Sequence, residues 1–92
     1  MIKSSNTSYN ITDSIFINLL ENKGLNIKNK YIANINSNDI ECTILELTDN
    51  NATVKLSKPV YIELNDKITI SFEYNNNIDL IAFGAVISSI II

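Results

Sequence analysis

The side chains that usually carry catalysis are nearly absent from this chain. It has no histidine, so neither a serine nor a cysteine can be paired with an imidazole base. Its one cysteine, Cys42, alternates with Glu41 and Thr43 so that Ile40, Cys42 and Ile44 share one face of a strand. A thiol on that face acts as a small apolar group, and a core position is expected rather than a reactive one. A lone cysteine also excludes an intrachain disulfide or a cysteine-based zinc site, which fits a reducing compartment. Asp39 with Glu41, and Glu63 with Asp66, are spaced so that one carboxyl could serve as acid and the other as base. Both pairs fall in or beside turns, where carboxylates face water. The expectation is a non-enzymatic protein with no catalytic, cofactor-binding or metal-binding residues.

Binding is the chemistry that remains. The formal charge is -3 and the pI about 4.7, which argues against a generic nucleic-acid binder, because neutralising phosphates needs clustered cations. There is no arginine, and the 7 lysines are scattered. Lys55, Lys58 and Lys67 lie in strands or at their ends, while Lys3, Lys23, Lys28 and Lys30 lie toward the N-terminal side. Scattered lysines read first as solvated surface, with a local phosphate contact as the alternative. Phe72 and Tyr74 flank Glu73 and share one face of their strand, where core packing is favoured over base stacking. The candidate binding residues are therefore Lys55, Lys58, Lys67, Phe72, Glu73 and Tyr74.

The elements that must position them are strands. Segments rich in β-branched residues recur at short intervals between clusters of Asn, Asp and Gly, the pattern of an all-β sandwich or barrel. The spacing predicts strands over 14–20, 31–35, 40–47, 52–56, 67–74 and 78–92, with a short extended stretch over 60–64. Residues 40–47 and 52–56 each alternate apolar and polar side chains across Asp49-Asn50-Asn51, which predicts a hairpin. Pro59 cannot donate to a ladder, so a strand end or edge is expected there. The last segment is read as one strand or a pair, bent at Gly84. Residues 11–21 are the best helical candidate, but their many β-formers favour a strand.

One domain over 11–92 is expected, preceded by a mobile polar segment, 1–10. That segment lacks the apolar core of a signal peptide, and the C-terminal Ile87-Ser88-Ser89-Ile90-Ile91-Ile92 is too short to span a membrane. It reads as a buried final strand, and the cytoplasm is the expected location. The 18 isoleucines and 15 asparagines read as biased codon usage.

From Leu25 onward the chain resembles the C-terminal barrel of the gamma subunit of translation initiation factor two. That family's apolar stretch followed by Asn-Ile-Gly-Ser looks like Tyr31-Ile32-Ala33-Asn34-Ile35-Asn36-Ser37. A strand, turn and strand ending in Leu, polar residues and Pro is matched by Leu56-Ser57-Lys58-Pro59. The family's Glu-Lys-Ile-Ala-Ile-Ser is similar to Asp66-Lys67-Ile68-Thr69-Ile70-Ser71, and its Trp-Arg-Leu-Ile-Gly-Trp-Gly to Ile78-Asp79-Leu80-Ile81-Ala82-Phe83-Gly84. The segment 9–20 also looks like the family's lead into this barrel. The resemblance implies a small antiparallel β-barrel of about six strands, of the type found as the third domain of elongation factor Tu.

The departures from the family pattern concern charge. Phe72 and Glu73 stand where the family carries a pair of arginines, and Asp79 replaces the arginine of Trp-Arg. Phosphate contacts at those places should be weakened. Asn36 replaces a glycine and can still take a left-handed turn. With no Gly-x-x-x-x-Gly-Lys-Ser/Thr loop, and with Gly24 and Gly84 the only glycines, GTP hydrolysis is excluded. The resemblance implies a stand-alone barrel that binds the ribosome and holds it inactive, as a dormancy or regulatory factor. The alternatives are an interaction module that assembles with initiation factor two subunits or their assembly chaperone, and a piece of a longer gamma subunit. A monomer is expected, with neither a membrane nor a small molecule as partner.

Overall fold

The structure is a computed structural model and describes residues 9–89. Those residues form six strands: β1 (Tyr9–Asn22), β2 (Lys30–Ile35), β3 (Asn38–Leu47), β4 (Asn51–Glu63), β5 (Lys67–Tyr74) and β6 (Asn77–Ser89). All pairings are antiparallel, and the sheet closes into a barrel in the order β1-β4-β3-β2-β5-β6. The all-β, six-stranded barrel expected from the sequence is therefore the fold.

Alternation explains the interior. Ile15 and Ile17 of β1, Ala33 and Ile35 of β2, Ile40, Cys42 and Ile44 of β3, and Ala52, Val54 and Leu56 of β4 all point inward and are buried, as are Ile68 and Ile70 of β5. Each fully buried isoleucine contributes about 1.5–3 kcal/mol of burial free energy, so the isoleucine-rich composition serves a packed interior. Leu25, from the connection between β1 and β2, joins the same cluster. The Asn22 side chain turns the chain toward it by accepting from the backbone N–H groups of Gly24 and Leu25 at 2.9 and 2.8 Å.

Asparagine has its own structural work. The β2–β3 turn at Asn36 and Ser37 (φ 53° and 68°) and the β5–β6 turn at Asn75 and Asn76 (φ 51° and 66°) are left-handed at both positions. Such two-residue turns match the twist of a hairpin, and asparagine tolerates them better than most residues. Asn65, at φ 70°, turns β4 into β5. There the Asp66 carboxylate accepts from Glu63 N–H at 2.9 Å and from the Asn36 side chain at 3.2 Å, tying two neighbouring turns together. Asp66 with Glu63 is thus a turn-stabilising arrangement.

Several boundaries differ from expectation. The first strand starts at Tyr9, well before residue 14, and residues 11–21 lie within it. The polar segment expected over 1–10 therefore ends in strand, and its first eight residues lie outside the described residues. The stretch 60–64 is no separate element: β4 runs through it as far as Glu63, with Pro59 inside. The proline is accommodated because the ladder lapses around it. On the β1 side the pairing jumps from Ser14↔Lys55 to Thr12↔Val60, and on the β3 side it stops at Cys42↔Leu56. The last segment is one strand, with Ile87 43% exposed and Ser88 exposed rather than buried, while 90–92 lie outside the described residues. At Gly84 the irregularity belongs to β1, whose register shifts between Leu19 and Glu21 as it crosses the glycine.

Candidate functional site

The three lysines named from the sequence do not share a face. Lys55, on β4, donates to Asp13 Oδ2 at 2.8 Å. Asp13 occupies the bulge of β1, where the Thr12 hydroxyl locks the chain by donating to Ser14 O at 3.0 Å and accepting from Ser14 N–H at 3.1 Å. The hydrogen bond from Lys55 holds the Asp13 carboxyl below its ordinary 3.8. Partial desolvation opposes this, while the lysine charge and the Ser14 hydroxyl add to it. Lys55 is therefore already engaged within the chain. Beside it runs an open groove of about 280 Å³ where Lys30 and Lys55 face Asp13 and Glu41, a mixture of signs rather than a phosphate cradle.

Lys58 stands exposed on the unpaired part of β4, beside a hollow of about 390 Å³ walled by Ile35, Ile40 and Val60. Lys67 is exposed at the start of β5. In the closed strand order two strands separate β4 from β5 in either direction, so Lys67 lies across the barrel from the other two.

Phe72 and Tyr74 do come together, with an unpredicted third ring. Tyr31 of β2 is buried and meets Phe72 edge to face, with centroids 5.8 Å apart, and Phe72 stacks on Tyr74 at 6.4 Å and 14°. The Tyr31 hydroxyl accepts from Asn26 N–H at 2.8 Å and from the Asn29 side chain at 3.4 Å, which fixes the loop carrying Lys28. The ladder thus leads from the core to Tyr74, 64% exposed at the barrel's end. Lys67 is five residues back along β5 from Phe72, about 16 Å at strand rise, and seven from Tyr74, so the aromatic and basic candidates on β5 stay apart. Lys30 lines one small hollow with Tyr31 and Glu73.

Glu73 points to the opposite face from Phe72 and Tyr74. The register Glu73↔Ile78 and Ser71↔Leu80 puts it beside two residues that sequence reasoning passed over, Ile78 and Leu80, 66% and 45% exposed. Their alternation around Asp79 was legible as strand but not as exposed surface, because the face they take depends on the register shift between Ile70 and Ser71, which only the pairing of β5 with β6 shows. The register also pairs Phe72 with Asp79. The three places where the gamma-subunit pattern carries arginine are thus gathered on one hairpin.

A closed antiparallel barrel of six strands is the fold that the sequence resemblance implied. Residues 9–86 match the family described as initiation factor eIF2 gamma, C terminal, a span running from the first residue of β1 into β6. The chain belongs to this family. No curated protein matches it. The C-terminal barrel of eIF2 gamma is a non-catalytic domain, and membership ties this chain to the translation initiation factors.

Cys42 belongs to the packed interior. Cys42 is 2% exposed, and burial pushes its thiol up to about 12. Among the described residues no three His, Cys, Asp or Glu side chains are grouped to hold a metal ion, and no helix is long and apolar enough to cross a membrane.

Proposed function

We propose that this eIF2 gamma-type barrel is a non-catalytic docking module of the translation initiation apparatus, binding subunits of initiation factor two or a protein that assembles them. The reading rests on one observation: the cationic groups are dispersed around the barrel, with Lys55 bound to Asp13, whereas one projecting hairpin exposes Ile78 and Leu80 beside Glu73 and Asp79. A surface of that kind suits protein contacts, where exposed apolar side chains supply the binding free energy. A cytoplasmic location and a monomer on its own belong to this proposal.

The test is affinity capture with the tagged full chain from native extract, with and without ribonuclease. The expected result is recovery of initiation factor two subunits or their assembly protein regardless of nuclease. Recovery of ribosomal RNA and proteins alone, lost on nuclease treatment, would overturn it.

A second reading has its own support in the exposed Tyr74 at the outer end of the aromatic ladder that begins at Tyr31. Stacking of an unpaired base on Tyr74 would suit a ribosome-bound factor that holds the particle inactive. It predicts co-migration with monosomes but not polysomes in a sucrose gradient, and loss of that co-migration in Tyr74→Ala.

A further inference from the structure

Past residue 71 in β5 and before residue 82 in β6, these two strands have only each other as ladder partners. β2 pairs with β5 over residues 68–71 alone, and β1 pairs with β6 only from residue 82 onward. The last link on the β1 side is Lys23 N–H to Ile81 O at 2.7 Å. Beyond it the outer edge of residues 77–80 has no strand partner among the described residues. An open edge is a template for another strand, and proteins protect such edges with lysine, proline or a covering element. Residues 71–81 contain neither lysine nor proline.

We infer that this edge of β6 takes an extended peptide of a partner protein in which apolar residues alternate with arginine or lysine. The inference rests on the docking reading above and gives its surface and its partner's chemistry. A strand added beyond residues 77–80 would occupy the place that β1 vacates, and its side chains would alternate between the two faces of the hairpin. On the outer face they meet Ile78 and Leu80, so apolar side chains fit. On the other face they meet Asp79 and Tyr74. A guanidinium there can pair with the carboxylate and lie against the ring. Asp79 forms no ion pair among the described residues, so its carboxylate is available to a cation on that face. The same charges select against a second copy of this chain, because antiparallel pairing of two identical edges brings acidic side chains opposite or diagonal to one another.

The experiment uses the full chain and a fluorescein-labelled octapeptide of alternating valine and arginine. Comparison peptides are one with the same residues in two blocks and one alternating valine with glutamate. Binding is read by anisotropy and mapped by amide NMR. The alternating valine–arginine peptide should bind, with shifts concentrated at residues 77–81. Asp79→Lys should weaken it about tenfold, in line with loss of a charge-assisted contact. Glu46→Lys, an equal charge change on exposed β3, should leave the affinity within about twofold, because distant surface charges are screened. Equal binding of the block peptide, equal weakening by both variants, or shifts outside the hairpin would overturn the inference. So would self-association through residues 77–81 without peptide. Capture of initiation factor proteins with no peptide binding overturns this edge and leaves the docking reading standing. Peptide binding at the edge with only RNA captured does the reverse.

Discussion

Replacing Gly84 with alanine should strike the seam that closes the barrel. A Cβ built there would lie 2.0 Å from the carbonyl oxygen of Asn18, 3.0 Å from that carbonyl carbon and 3.2 Å from Leu19 Cα. All three are backbone atoms of β1, so no side chain can swing aside. β1 would have to retreat by about 1.4 Å to restore van der Waals contact, loosening the neighbouring pairs Asn18↔Ala85 and Ile17↔Val86. Overpacking of this kind costs about 1–3 kcal/mol. Two weakened ladder hydrogen bonds add about 1 kcal/mol each. An expected loss of about 3–5 kcal/mol is a large share of the roughly 5–14 kcal/mol that stabilises a domain of this size. With a urea m-value of about 1 kcal/mol/M, the unfolding midpoint should fall by about 3–5 M. Far-ultraviolet circular dichroism is the suitable probe, because the chain has no tryptophan. The control is Gly24→Ala: nothing lies within 4 Å of a Cβ there, and only the backbone strain at φ +138° is charged against it. That strain is worth about 1–3 kcal/mol. A midpoint unchanged in Gly84→Ala while Gly24→Ala shifts it would refute the close-approach reasoning.

Other consequences can be checked as directly. Asn76→Val places a β-branched residue at φ 66° and should cost about 1–2 kcal/mol, lowering the melting temperature by about 5–10 °C in a thermal scan. Asp13 should titrate below 3.8 by carboxyl NMR and move back toward that value in Lys55→Met. Because the folded carboxyl is depressed, its stabilisation is present above 3.8 and is lost as pH falls through the folded value. A matching pH dependence in Lys55→Met and the parent would contradict this. Cys42 should react with an aromatic disulfide reagent at neutral pH no faster than the domain unfolds; an immediate reaction would show the thiol is not buried. Its contribution is present below 9.0 and is lost as pH rises through about 12.

What was legible in the sequence was local. The alternation of Ile40, Cys42 and Ile44 against Ala52, Val54 and Leu56 specified a hairpin, and the structure pairs those strands from Cys42↔Leu56 to Leu47↔Ala52. Side chains alternate along any strand, so two runs and a turn suffice. The course of β4 through Pro59 was hidden, because a proline stops being a breaker when neither neighbouring strand needs its N–H, and only the register reveals that. The Asp13–Lys55 bridge spans 42 positions and depends on the β1 bulge, which no local pattern announces. For the candidate site, residue types pointed to Phe72 and Tyr74 as a pair, and the structure stacks them. The separation of Lys67 from Lys55 and Lys58, and the exposure of Ile78 and Leu80, follow from strand order and from where neighbouring strands end. Neither is written in any short stretch of residues.

β1 lies between β4 and β6, the strands made third and last after it. During synthesis β1 therefore emerges with no neighbour on either side. At about 5–20 residues per second it waits a few seconds for β4, while β2, β3 and β4 can zip together in sequence behind it. The nascent chain then carries one half-paired strand and an open sheet until β6 follows, so the barrel closes last at the seam where Gly84 crosses β1. Closure of the barrel on the ribosome is thereby set by β6, the last of its strands to be translated, and a pause before β6 would prolong the interval in which the apolar interior is open to other chains.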